Sequence, residues 1–266
     1  MIECVVNVSE GRNRDVIASI SAAAGSRLLD VHSDRWHNRS VLTLGGESDD
    51  VSQAARSLAR ETVRLLDIRR HEGVHPRLGV VDVVPFVPLG EAGRVDDVLE
   101  ERAGFATWFA EELGVPCFLY GPERSLPEVR RRAYVELKPD IGPPLPHPTA
   151  GACCVGARGV LVAYNLFVKG SFTDARRVAG ELRRPEVRTL GLEVGSLMQV
   201  SCNLVAPAVF GPAQVYDFVA ARLRVIRAEL VGLLPCEVLH ATDERRWSEL
   251  DLSEDRTIES HLAKAG

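Results

Sequence analysis

Nowhere in its 266 residues does the chain hold an apolar run approaching the roughly 20 residues needed to cross a bilayer. Its first residues, MIECVVNVSEGRNR, also lack the basic region and long apolar stretch of a secretory leader. Together these absences predict a cytoplasmic protein with no membrane partner. No CxxC spacing occurs among Cys4, Cys117, Cys153, Cys154, Cys202 and Cys236. Most lie in apolar, strand-like contexts, which predicts buried reduced thiols, and the adjacent Cys153 and Cys154 would face opposite sides of a strand. Lys and Arg are not in surplus: the net charge is −5. With no aromatic run of the kind RNA-binding strands carry, general nucleic-acid binding is excluded. What remains is 45% apolar and 26% charged residues, enough to bury a core in one large or two ordinary domains.

Periodicity orders the first half as strand (2–8), helix (16–24), strands (27–31 and 40–46), a long helix (49–67) and a strand (78–89). That is the β-α-β-β-α-β order of a split βαβ, or ferredoxin-like, arrangement. The second half repeats it: strand 159–168, helix 173–182, paired strands 187–194 and 197–205, helix 212–230 and a last strand 231–239. The predicted class is therefore α+β, with two ferredoxin-like subdomains, 1–150 and 151–266. Between the copies lie a helix (95–113), a strand (117–121) and KPDIGPPLPHPTAG (138–151), whose five prolines forbid regular structure and mark the boundary. Its rigidity, with His147 and Thr149, suits the wall of a cleft. Asn7 and Asn165 sit late in the first strand of each copy, where open α/β layouts expose ligand groups; closing a local turn is the alternative reading.

The stretch HEGVHPRLG (71–79) can be taken as two different chemistries. His71, Glu72 and His75 satisfy the HExxH pattern of zinc hydrolases, which needs both imidazoles on one helical face. Gly73 and Pro76 oppose that helix, and Pro76 pushes His75 toward an extended conformation. The second reading makes His75 alone a general acid/base, with a surface or capping histidine as the bland alternative. Arg77 and Arg39 are candidates for bidentate carboxylate recognition, and Asp82 follows on the next strand. Asp30, His32, Asp34 and His37 crowd one loop without fitting any specific metal spacing. GACCVGARG (151–159) lacks the Lys and Ser/Thr of a phosphate loop and leads into a strand, so no nucleotide site is read there. Arg130, Arg131 and Arg132, like Arg176, Arg177, Arg183 and Arg184, read as solvated helix faces and receive no function.

Taken in order, VVNVSEG (5–11), DVHSDRWHNRSV (30–41), HEGVHPRLGVVDVVPFVPL (71–89), EELGVPCFLYG (111–121), PDIGPPLPHPTAGACCVGAR (139–158), LVAYN (161–165) and MQVSCNL (198–204) resemble the glutamate formiminotransferase family. The resemblance implies transfer of a formimino group from N-formimino-L-glutamate to N5 of tetrahydrofolate, a co-substrate, in histidine degradation. It implies two ferredoxin-like subdomains sharing one ligand groove, a dimer and no metal. His75, in the G-x-H-P-R segment, takes the catalytic role, and Gly142, Thr149, Ala150 and Gly151 lie near the folate. Asn7, Arg39, Arg77, Asp82, Arg158 and Asn165 complete the expected substrate and folate contacts. The chain ends without the cyclodeaminase that animal members carry, so a separate cyclodeaminase is the expected partner. Three positions depart from the family pattern: His32, Phe167 and Ala213. They define a second reading, a folate- or carboxylate-binding homologue with altered or lost transferase activity.

Overall fold

Alternation decides the first strand: in β1 (Ile2–Val8), Ile2, Cys4, Val6 and Val8 enter the core while Val5 and Asn7 take the other face. The computed structural model describes residues 1–90 and 93–265, in two units, Met1–Gly159 and Val160–Gly266. After β1 comes α1 (Arg14–Ala23), whose first turn is capped by the Asn13 side chain accepting from the Asp15 and Val16 N–H groups. β2 (Leu28–Asp34), β3 (Arg39–Gly46), α2 (Ser48–Leu65) and β4 (Val81–Pro88) complete the first β-α-β-β-α-β run. Val51, Ala54, Ala55, Leu58, Ala59 and Thr62 of α2 are buried at the spacing of one helical face. α3 (Leu99–Leu113), β5 (Cys117–Tyr120), α4 (Leu126–Arg132) and β6 (Cys153–Ala157) extend the unit.

The first sheet has the order β2-β3-β1-β4-β6-β5. Its first four strands are antiparallel, and β6 joins β4 and β5 in parallel. The main core, built on Phe86, Phe105 and Phe109, fills one face; a smaller cluster of Val83, Phe118, Tyr120, Val129 and Cys154 fills the other. Cys153 belongs to the first cluster and Cys154 to the second, as neighbours on a strand must.

In the second unit β7 (Val162–Lys169), α5 (Phe172–Leu182), β8 (Val187–Val194), β9 (Leu197–Leu204), α6 (Pro212–Ala220) and β10 (Arg224–Val231) repeat the run, followed by α7 (Cys236–His240) and α8 (Ile258–Ala265). Its antiparallel sheet has the order β10-β7-β9-β8. In both units the run's fourth strand lies beside its first, then come the third and the second. Among the described residues no helix is long and apolar enough to cross a membrane.

Four expectations need correction. The division falls after Gly159 and not after 150, because β6 is hydrogen-bonded between β4 and β5 and so belongs to the first sheet. The helix expected over 212–230 stops at Ala220, and residues from Arg224 onward form β10, whose register against β7 shifts between Val225 and Arg227. That bulge breaks the period-two pattern, and where a strand was expected over 231–239, β10 ends at Val231 and α7 begins at Cys236. Asn165, expected late in its strand, lies in the middle of β7, which runs on to Lys169, opposite Glu229.

Phe105 is 1% exposed and its ring contacts those of Phe86, Trp108 and Phe109 at centroid distances of 6.0, 5.6 and 5.4 Å. Phe105→Ala is expected to cost about 3–5 kcal/mol, read from the urea midpoint. A loss below about 1 kcal/mol would contradict a core organised around this ring.

Candidate active site

Three loop segments meet where β1 ends, β3 begins and β4 begins. Ser9 donates its N–H to Val80 O (2.8 Å) and its hydroxyl to Gly79 O (2.8 Å), pinning the first loop to the entry of β4. Asn38, in the left-handed region at φ 47°, accepts the Gly11 N–H (2.9 Å) and donates to Glu72 O (3.0 Å), tying in the other two. Asn tolerates that conformation better than most residues. Gly11 and Gly73 permit the contact: a Cβ at either would lie 2.3 Å from the Asp34 or His37 carbonyl oxygen.

Arg77 closes the junction. Its Nε and Nη2 donate to His75 O (3.1 and 2.6 Å), Nη2 also to His37 O (2.9 Å), and Nη1 to Asn38 O (3.3 Å) and to His71 Nε2. All five guanidinium donors are engaged, so Arg77 offers none to a carboxylate, contrary to the expectation above. His71 receives from Arg77 at Nε2 and donates from Nδ1 to Ser9 O (2.9 Å). Residues 71–76 are not helical, and among the described residues no three His, Cys, Asp or Glu side chains form a metal-binding group.

His75 is half-buried beside this junction, its ring edge-on to that of His37 with centroids 5.9 Å apart. Its Nδ1 lies 2.8 Å from Pro76 O. A carbonyl only accepts, so Nδ1 carries the proton and the lone pair resides on Nε2. Burial, then the cations Arg39 and Arg130, push the imidazole down to about 2, and it is neutral at physiological pH. Pro76 O also accepts from Arg130 Nη1 (2.9 Å), while Arg130 Nη2 meets Asp82 Oδ2 at 2.5 Å. The other Asp82 oxygen accepts the Leu78 N–H (2.7 Å). Asp82, 2% exposed, is therefore an internal anchor and not a ligand-facing carboxylate.

Arg39 is different. Its guanidinium forms no ion pair or hydrogen bond with the described residues, and burial lowers it to about 10 despite the distant pull of Asp82 and Asp34. A desolvated guanidinium next to an imidazole, without its own carboxylate, is a ready partner for a ligand anion.

The remaining expected residues divide. Asn7 lies at the end of β1, level with Val41 and Val83, and donates to Val5 O (3.1 Å). The 139–151 segment is drawn to the same region. Thr149 O accepts the Ile68 N–H (2.7 Å), Gly151 bridges Gly79, and His147 Nδ1 accepts the Thr149 and Ala150 N–H groups (3.3 and 2.9 Å). Gly151 has φ 75°, and a Cβ there would lie 2.2 Å from Leu78 O. Gly142 packs instead on Ala110 and Pro116. Arg158 is not brought to His75: its N–H bonds Phe86 O (3.1 Å), at the far end of β4. Four residues of strand separate Phe86 from Asp82, about 13 Å at ~3.3 Å per residue. Asn165, in the second unit, is 5% exposed and donates to Glu229 (2.9 Å). Arg130 and His37 were missed as site residues.

Fold and site together define a class: an α+β protein with a repeated βαββαβ order, setting a neutral imidazole among guanidinium groups, an arrangement suited to proton transfer on an anionic ligand. Residues 1–158 match the family profile described as formiminotransferase domain, N-terminal subdomain. The chain is 33% identical over 295 residues to the glutamate formimidoyltransferase of Streptococcus pyogenes serotype M1, covering 98% of each. To that of Thermoplasma acidophilum it is 33% identical over 273 residues, 90% of this chain and 89% of the relative. To the formimidoyltransferase-cyclodeaminase of Sus scrofa it is 36% identical over 276 residues, 90% of this chain but 51% of the relative, so it spans about half the length of relatives of that name. The chain belongs to the formiminotransferase family.

Because the folded value of His75 lies below its ordinary 6.5, the folded state resists protonation. The stability tied to neutral His75 is complete above about 6.5 and is lost as pH falls toward about 2. In the free protein the His75 ring is expected to keep neutral NMR shifts from about pH 8 to pH 5. A midpoint near 6.5 would show that the cationic, buried setting has no hold on it.

Proposed function

We propose that this chain transfers a formimino group from N-formimino-L-glutamate to N5 of tetrahydrofolate, in histidine degradation and one-carbon metabolism. The observation that carries the reading is the neutral, Nδ1-protonated His75 beside the uncommitted Arg39. The names of the full-length relatives, glutamate formimidoyltransferase, supply the reaction type.

In the proposed reaction the N5 lone pair forms a bond to the amidine carbon, and His75 Nε2 takes the proton that N5 releases. The same imidazolium then gives that proton to the glutamate nitrogen as its bond to the carbon breaks. One group serves both steps, a contribution typically of about 10²- to 10⁴-fold. Arg39 receives a carboxylate of the glutamate donor or of the folate tail, which offsets the cationic field that otherwise opposes imidazolium formation. Arg77 acts at a distance, fixing the carbonyls of His37, Asn38 and His75. Asn7, Thr149, Ala150 and Gly151 line the same end of the sheet. A cyclodeaminase, the second activity in the name of the Sus scrofa relative, is the expected consumer of the product.

The test follows absorbance with formiminoglutamate, tetrahydrofolate and an added cyclodeaminase. His75→Ala is expected to lose at least about 100-fold in kcat while calorimetry shows retained folate binding. Arg39→Ala is expected to raise KM for the glutamate donor roughly tenfold or more. Turnover retained by His75→Ala removes the shuttle. Folate binding with no wild-type turnover replaces the transferase by the binding homologue.

A further inference from the structure

Arg130 belongs to a run of three arginines ending a helix, yet it does not behave as its neighbour does. Arg132 pairs with Glu128, one helical turn back, and with Glu136 in the turn that follows the helix, near the surface. Arg130 turns inward, its side chain only 16% exposed, and reaches groups 48 and 54 residues earlier in the chain. Its Nη2 holds the buried Asp82 carboxylate, while Nη1 holds the Pro76 carbonyl and reaches the second Asp82 oxygen (3.4 Å). That carbonyl is the acceptor for His75 Nδ1, so both of its lone pairs are used, one by the cation and one by the imidazole.

The arrangement answers a chemical need. A histidine working through Nε2 requires its other nitrogen held as N–H, and this is commonly the task of a carboxylate or a carbonyl. Among the described residues no carboxylate bonds the ring. The groups facing it are Arg39 from β3, Arg130 from α4, His37 from the β2–β3 turn and the carbonyl of Pro76. Proline fixes the backbone φ at this residue, and Arg130 fixes where the carbonyl points. Asp82 in turn holds Arg130 while accepting the Leu78 N–H, so the assembly is anchored to the strand that follows.

We propose that Arg130 is a positioning residue: by holding the Pro76 carbonyl against the buried Asp82 carboxylate, it fixes His75 in the tautomer that leaves the Nε2 lone pair free to move protons. Its kinetic consequence rests on the transfer reaction proposed above; its effect on the tautomer does not.

The full chain labelled with 15N-histidine tests this by two-bond proton–nitrogen correlation NMR, with His75→Gln identifying the His75 signals. Wild type is expected to show the Nδ1–H form alone. Arg130→Lys keeps a charge but loses the planar fork. The double variant Arg130→Met with Asp82→Asn removes both charges, leaving no buried carboxylate without a partner. In both, an Nε2–H population is expected, and kcat is expected to fall roughly tenfold or more while KM for the glutamate donor stays within about threefold. Nδ1–H persisting alone in either folded variant, or absent from wild type, overturns the proposal. A tautomer shift in a protein without turnover supports it and rejects the transferase reading instead.

Discussion

Backbone carbonyls exposed by a loop junction need partners, and at this site one side chain supplies three of them. The carbonyls of His37, Asn38 and His75 come from two segments that no sheet ladder joins, and Arg77 reaches all of them. Lysine could not substitute, since a point charge has no planar fork from which to address acceptors in separate directions. Gly73 lies under the same contact: a Cβ there would stand 2.7 Å from Arg77 Nη2. The geometry of His75 therefore begins with a residue whose guanidinium donors are spent on the protein itself. Its carbonyl is clamped by Arg77, its φ and ψ are narrowed by the following proline, and only its ring remains to be set.

The electrostatics follow from how the three guanidinium groups are used. Arg77 is committed to carbonyls and to His71, Arg130 to Asp82 and Pro76, and Arg39, among the described residues, to no group at hydrogen-bonding distance. Among the described residues Asp82 is the buried carboxylate paired with one of them, Arg130. The resulting excess of positive charge has two consequences with one cause. It adds to burial, the larger effect, in keeping the imidazole unprotonated in the free protein, and it favours a ligand that brings negative charge. An anion placed on Arg39 weakens the repulsion that opposes a proton on His75, so binding and basicity rise together. A neutral ligand would have no such effect.

Much of this was legible from residue order. The alternation of β1, the three-and-four spacing of α2 and the Gly73–Pro76 interruption are local signals, and the structure keeps each of them. What was not legible depends on partners distant in sequence. β6 is short and could be assigned to its sheet only by knowing that β4 and β5 flank it in parallel. Arg222, Arg224 and Arg227 spread charge through 212–230 in a way that imitates the exposed face of a continuing helix. Arg130 sits among arginines that do face outward, and its inward turn is dictated by Asp82, a residue 48 positions away. Asp82 and Arg77 were found because charged residues near a histidine attract notice, but the same signal could not say that both serve the protein's own backbone and side chains.

The HExxH pattern shows how a short motif is decided by its surroundings. Zinc ligation asks for a free ring nitrogen on each histidine and a helix that stacks them. α2 has already ended at Leu65, a single 3₁₀ turn occupies Ile68–Arg70, and the chain from His71 onward is extended or bent. His71 has both nitrogens engaged, Nδ1 by Ser9 O and Nε2 by Arg77. Its imidazole is thus part of the clamp, and burial with the neighbouring Arg77 holds it below the ordinary range. Glu72 contributes its carbonyl to Asn38 and leaves its side chain exposed. Of the three motif residues only His75 keeps a free nitrogen, and the proline that rules out the helix is the residue whose carbonyl orients that ring. Pro76 thus both opposes the helix that zinc ligation requires and supplies the acceptor for His75 Nδ1.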